Sequence, residues 1–343
     1  MSKKIKILLM VFLLWLSAGQ VYPQEVPCVW TGVKKIVTVG DLHGDYENFI
    51  KILKGTRLVD SELRWAGGQT FLVQTGDVLD RGPDARKIFD LIMRLEIEAE
   101  QAGGRVLMLV GNHEEMNITG IAFDYEDYIT VEQFVSFLPD DYRQKKEREF
   151  AKKSNKERGV REDWKKVLKN DAGARKKYLI NFNEKYGKWI IEHNAVVKIN
   201  DIVFVHGGIN EKFSKWKLED INRKLRTELT EFQRAAVSSQ PPENMNPEIV
   251  YQADGPLWYR KLAIEDREIS DEDVDQILLN LGARCMVVAH TPRLVFSIND
   301  MSRFGGKIWI VDTGISKAYG GQIRALIIND GKFSLWGAKN DEY

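Results

Sequence analysis

The stretch FLVQTGDVLDRG, residues 71–82, is an apolar β-type run that ends in a glycine-bounded turn carrying Asp77, Asp80 and Arg81. Phe71, Leu72 and Val73 favour a strand, and Gly76 and Gly82 allow the backbone to turn tightly around the acidic residues. The same arrangement recurs along the chain. Residues 35–39 lead into Gly40-Asp41-Leu42-His43-Gly44-Asp45, and residues 106–110 into Gly111-Asn112-His113-Glu114. Residues 202–205 lead into His206-Gly207-Gly208, and residues 286–289 into His290-Thr291-Pro292. Open α/β sheets place ligands beyond the carboxyl ends of their strands. Five strand ends loaded with Asp, Asn and His therefore point to one shared site.

Further strand-like runs lie at residues 195–199, 295–298, 308–311, 323–328 and 332–336, with Asn200-Asp201 and Asp330-Gly331 as hairpin turns between paired runs. Pro83 opens a helical pattern with Ile88, Leu91, Ile92 and Leu95 on one face, closed by Gly103-Gly104. Ser270 and Asp273 form a capping box before Val274, Ile277, Leu278 and Leu281, and Gly282 supplies the stop. Residues 218–236 form a third helix, followed by a loop with Pro241, Pro242 and Pro247. The late hairpins break a pure βαβ alternation. The expected fold is α/β, with a two-sheet mixed β core flanked by helices.

At 43% hydrophobic and 29% charged, the 343-residue chain can bury a sizeable core and is not of disordered composition. Its 50 basic and 50 acidic residues cancel, which argues against nucleic acid or an anionic membrane as partner. Two cysteines exclude a disulfide-dense scaffold and a four-cysteine metal site. Cys28 and Cys285 are expected as separate thiols, with pairing open to them in an oxidising compartment.

Lys3, Lys4 and Lys6 precede an apolar run at residues 7–16 and the small residues Ser17, Ala18 and Gly19. This reads as a secretory signal peptide over residues 1–24, too short to cross a membrane as a helix. It predicts an exported protein, periplasmic or secreted, with no stable membrane association after cleavage. Residues 25–343 then form the functional domain, with a basic helical insertion at about 118–180. Within it, residues 143–177 hold about fifteen basic against six acidic side chains. That stretch reads either as a solvated helical insertion or as a basic lid or docking surface for an acidic or phosphorylated partner.

Taken singly, a Gly-Asp is usually a turn and a histidine after an apolar run usually a core side chain. The joint pattern is more specific, because four of the five histidines lie in these turns. His193, near Trp189 and Ile190, reads as structural. Hard oxygen and borderline nitrogen donors without thiolate suit a two-metal hydrolytic site for Mn, Fe, Zn or similar ions.

In their order, Gly-Asp-x-His-Gly, Gly-Asp-x-x-Asp-Arg-Gly, Gly-Asn-His-Glu and His-Gly-Gly resemble the calcineurin-like metallophosphoesterases, and within them the phosphoprotein phosphatase branch. The segments DRGPDARKIFDLIMRL (80–95), GNHEEMN (111–117), GPLWYR (255–260) and VDTGIS (311–316) are most similar to the Shewanella-like protein phosphatases. The resemblance implies a four-layer sandwich and a metal-dependent phosphoprotein phosphatase that hydrolyses phosphomonoesters by attack of a metal-bridging hydroxide. Some relatives prefer phosphotyrosine. It implies two divalent ions, Mn first and Fe or Zn as options. Asp41 and His43 would hold one ion, Asp77 both, and Asn112, His206 and His290 the second. His113 would protonate the leaving oxygen, oriented by Asp80, and Arg81, Asn112 and Arg260 would bind phosphate. The implied partner is a phosphorylated protein or peptide. His290 has no second histidine two residues on, and Asp80-Arg81-Gly82 is present; both favour monoesters over diesters. The alternatives are a dinucleoside tetraphosphatase, an exported small-molecule phosphomonoesterase, and a catalytically dead binding module.

Overall fold

The computed structural model describes residues 26–154, 163–238, 240–243, 246–264 and 268–337; the expected signal peptide lies outside them. Among these residues eleven strands are found. In chain order they are β1 (Val29–Trp30), β2 (Lys35–Val39), β3 (Phe71–Gln74), β4 (Arg105–Met108), β5 (Val196–Ile199), β6 (Ile202–Val205), β7 (Cys285–Val288), β8 (Ser302–Arg303), β9 (Ile308–Ile310), β10 (Arg324–Asn329) and β11 (Lys332–Gly337). They make two sheets, ordered β11-β10-β2-β3-β4 and β1-β5-β6-β7-β9-β8.

Both sheets are mixed. Strands β2, β3 and β4 are parallel, and β10 and β11 extend that sheet as antiparallel neighbours. Strands β6, β7 and β9 are parallel, while β5 and β8 pair antiparallel with β6 and β9. Every residue of β3, β6 and β7 is buried, as expected of parallel strands covered on both faces. Parallel neighbours need crossovers. The helices Tyr46–Gly55 and Ala85–Gln101 supply them on the way from β2 to β3 and from β3 to β4. Helix Ala85–Gln101 buries Ile88, Leu91, Ile92 and Leu95, the face read from the sequence.

Local signals acted largely as their chemistry requires. Ser270 and Asp273 form the reciprocal cap of helix Asp271–Leu281, and Gly282 ends it with φ 58°. Asp330 and Gly331 both adopt positive φ, the backbone of a tight hairpin whose twist matches its strands. Two readings need correction. Pro83 precedes the helix rather than occupying its first turn, because Asp84 is the N-cap and donates its N–H to Gly44 O. Residues 295–298 are not a strand. The Val295 N–H goes to the Gln322 side chain, and a Ser297–Asp300 capping box opens the short 3₁₀ turn Ile298–Met301. A local cap there takes up backbone groups that a ladder would have needed.

The basic insertion is also more than a solvated arm. It contains the helices Val131–Ser136, Asp140–Ser154, Trp164–Asn170 and Ala172–Phe182. Gln133, Phe134, Leu168, Ala174, Tyr178 and Phe182 from this segment are buried. Cys28 and Cys285 are free and buried, and burial pushes both thiols up to about 12. His193 bridges Trp189 O and Glu96, at 2.7 and 2.8 Å, in a structural role. No helix among the described residues is long and apolar enough to cross a membrane.

Candidate active site

The loops that follow β2, β3, β4, β6 and β7 meet at one end of the two sheets. They are laced by backbone bonds: Leu42 and His43 donate to Asp77 O, and Gly44 donates to Val78 O. Five non-glycine residues here, His43, Asp77, Asp80, Arg81 and His290, have φ between 40° and 69°. Such conformations cost about 1–3 kcal/mol each and persist where the surroundings over-determine them. Gly111 shows why the spacing is fixed, since a Cβ there would meet Asp77 Oδ1 at 2.3 Å.

Asp77 stands at the centre. His43 Nε2 lies 3.9 Å and His206 Nε2 3.4 Å from its carboxylate, and His113 N–H donates to Oδ1 at 2.9 Å. Asp41 Oδ2 lies 4.0 Å from His43 Nε2. Among the described residues two groups have ligand-type atoms within 4.8 Å of one another: His43, Asp77 and His113, and Asp77, His206 and His290. Asp77 belongs to both. Backbone carbonyls set the imidazoles. His43 Nδ1 bonds to Leu79 O and His206 Nδ1 to Thr75 O, each at 2.9 Å. With Nδ1–H given to a carbonyl, each Nε2 presents a lone pair to the cluster.

This donor set fits divalent cations. The His206 Nε2 lone pair faces the Asn112 Oδ1 acceptor at 3.0 Å, with His290 Nδ1 3.2 Å away. Among the described residues His290 Nε2 is buried without a hydrogen-bond partner. Burial, Asp312 and Asp77 together push the Asp41 carboxyl well above its ordinary range. Burial would do the same to Asp77, but His206, His113 and His43 hold it well below. Burial brings His43 down to about 4. A cation between these groups would satisfy lone pairs and carboxylates alike.

His113 turns its Nε2 toward Asp77 at 3.9 Å and pairs through Nδ1 with Asp80 Oδ2 at 2.6 Å. Burial opposes charge on His113, but Asp77 and Asp80 overcome it and raise its pKa to about 8. The Arg81 guanidinium lies over the Tyr128 ring at 4.2 Å, and its Nε is buried without a partner among the described residues. Arg260 reaches the same rim differently. Its Nη1 donates to His290 O and, at 3.2 Å, to Thr291 Oγ1. All the residues singled out from the sequence thus gather here, Arg260 at the edge.

Other participants went unread. Glu114 accepts N–H bonds from Gly111, Asp77 and Val78, knitting two loops with one buried carboxylate. Asp312 is buried beside Asp41, its pKa raised by burial to about 6. Tyr128 packs on His113 at 4.8 Å and Tyr319 on His43 at 5.0 Å. Glu114 and Asp312 lie inside quoted motifs, so a signal existed; the two tyrosines carry none.

The calcineurin-like phosphoesterase family matches residues 34–294, most of the chain. The chain belongs to that family. This phosphoesterase is therefore a hydrolase, of a family that works with a binuclear divalent metal centre, and it presents candidate ligand groups for one. It is 29% identical over 291 residues to Shewanella-like protein phosphatase 1 of Plasmodium berghei, covering 84% of this chain and 68% of that one. Shewanella-like protein phosphatase 2 of Arabidopsis thaliana is 30% identical over 267 residues, covering 75% of this chain and 66% of its own length. The crystal structure of a cold-active protein-tyrosine phosphatase from a psychrophilic Shewanella species superimposes with a TM-score of 0.68 at 25% identity. That match covers 91% of this chain and 80% of the other. The two-sheet phosphoesterase fold expected from the motifs is the fold observed.

Proposed function

We propose that this phosphoesterase is a phosphoprotein phosphatase that prefers phosphotyrosine and is exported by residues 1–24. The observation that carries the chemistry is the 2.6 Å His113–Asp80 pair standing beside Asp77, the one carboxylate common to both ligand groups. Asp41 and His43 would hold one cation, Asn112, His206 and His290 the other, and Asp77 both. Oxygen and imidazole donors without thiolate favour manganese, with iron or zinc as alternatives. When bound, two such cations supply a nucleophile from water at neutral pH and neutralise phosphoryl charge.

The chain's own residues do the rest. Arg81 offers its guanidinium fork to the phosphoryl oxygens, held in place by the Tyr128 ring. Arg260 and Asn112 approach the same oxygens from the His290 side. His113 gives its Nε2 proton to the leaving oxygen, while Asp80 keeps the ring oriented and charged through Nδ1. The Tyr128 and Tyr319 rings lie 4.2 and 5.9 Å from the Arg81 guanidinium and offer an aryl leaving group aromatic surface. Such contacts contribute about 0.5–1.5 kcal/mol each. The named relatives, two protein phosphatases and a protein-tyrosine phosphatase, support the same substrate class.

The test is phosphate release by the mature chain, reloaded with Mn²⁺ after chelation. Matched phosphotyrosyl and phosphoseryl peptides are compared with diadenosine tetraphosphate. The expected order places the phosphotyrosyl peptide first. Preference for the dinucleotide would overturn the substrate assignment.

A further inference from the structure

Asp80 is gripped by residues far from it in sequence. It is fully buried and has φ 69°, a backbone state that needs outside support. Gln133, on the insertion helix Val131–Ser136, clasps it twice. The Gln133 side chain accepts the Asp80 N–H at 2.7 Å and donates Nε2–H to Asp80 Oδ1 at 2.9 Å. Asn117 donates Nδ2–H to both carboxylate oxygens at 3.0 Å and to His113 O at 2.9 Å. Asn117 is itself fixed by Tyr178, whose hydroxyl donates to Asn117 Oδ1 at 2.8 Å. With Oδ1 turned to Tyr178, Nδ2 must face Asp80. Tyr178 is fully buried and stacks on Phe134 and Phe182, with centroids 5.4 and 5.8 Å apart.

We propose that Gln133 and Tyr178, both carried by the helical insertion, are positioning residues for the Asp80–His113 pair. The inference rests on the acid role given to His113 above. A carboxylate supplied with donors from Gln133, Asn117 and His113 has its lone pairs occupied and is held in one orientation. That fixes the His113 ring and keeps the Nδ1 proton on it, so the remaining Nε2–H points at the leaving oxygen. A buried glutamine acting only as packing would need no bond to both the backbone and the carboxylate of one residue. Through these two residues the insertion is coupled to proton delivery.

The test uses the mature Mn²⁺-loaded chain and a series of phosphomonoesters of rising leaving-group pKa, from p-nitrophenyl phosphate to alkyl phosphates. The variants are Gln133→Ala, Tyr178→Phe and His113→Ala. His113→Ala should lose ~10²–10⁴-fold in kcat on alkyl phosphates and much less on p-nitrophenyl phosphate. Gln133→Ala should show the same dependence at roughly a tenth of the loss or more, and Tyr178→Phe the same trend more weakly, with KM, inhibition by inorganic phosphate and bound metal unchanged. Tyr178→Phe keeps the aromatic stack and decides the matter if Gln133→Ala does not fold. If His113→Ala loses activity equally on all esters, the acid assignment itself fails. If His113→Ala discriminates while the folded Gln133 and Tyr178 variants lose nothing, or lose equally on every ester, the positioning role is overturned.

Discussion

At Glu115 burial is complete, yet the carboxyl accepts the Tyr251 N–H at 2.9 Å and the Trp258 indole N–H at 3.2 Å. Burial pushes its pKa from 4.5 up to about 8, against the smaller pull of those two bonds. The folded state thus binds this proton more tightly than the unfolded chain. Its stabilising contribution is full below about 4.5 and is lost as pH rises through about 8. The amount is a few kcal/mol at most. In urea unfolding with Mn²⁺ saturating, this contribution should fall between about pH 4.5 and 8, and Glu115→Gln should flatten that fall; an unaltered slope would contradict it. Arg81 carries a different expectation. Arg81→Ala should lower kcat/KM by about one to two orders of magnitude, the scale of hydrogen bonds to a charged group, and leave bound metal unchanged. Metal loss measured in that variant would refute the phosphate-binding role. At this scale the sequence was legible where chemistry sits next to glycine: Asp41, His43, Asp77, Asn112 and His113 each stand within a residue or two of one. Gln133 and Tyr178 were illegible because their meaning comes only from Asp80, which is 53 residues from Gln133.

The strands and helices that carry the site could be read because apolar runs and caps are local properties. Strands β1 and β8 were missed, being two residues long and too short to show any period. Residues 295–298 had the composition of a strand but no partner to pair with. The insertion was read by charge, which describes its outer face. Its inner face, with Phe134, Tyr178 and Phe182, follows aromatic stacking that charge counting hides. The outer face has its own test. Lys166 is exposed and Lys165 half-buried on helix Trp164–Asn170. If this face docks acidic substrate, Lys165→Glu with Lys166→Glu should raise KM on phosphoproteins severalfold and leave p-nitrophenyl phosphate untouched. An unchanged KM would remove the docking idea and leave the inner face as the insertion's contribution.

Across the whole molecule, two mixed sheets bring five loop ends from residues 40 to 290 into one buried polar cluster. The cluster is unfavourable by itself: Asp41, Asp77 and Asp312 are buried together, and acceptors on His206 and Asn112 lie 3.0 Å apart. Divalent cations would offset that repulsion, so metal, fold and activity should be coupled. The order of motifs made this architecture legible in advance, because a strand-end site needs parallel strands in register. The relative rotation of the two sheets and the closing contacts at Asp312 depend on packing that no single stretch encodes. The most direct measurement is metal content and phosphate release on the same samples of wild type and Asp77→Asn, before and after chelation. The account predicts two divalent ions per wild-type chain, activity lost on chelation and restored by Mn²⁺, and both binding and turnover broken in Asp77→Asn. Full phosphate release from the metal-free chain, or undiminished turnover in Asp77→Asn, would contradict it.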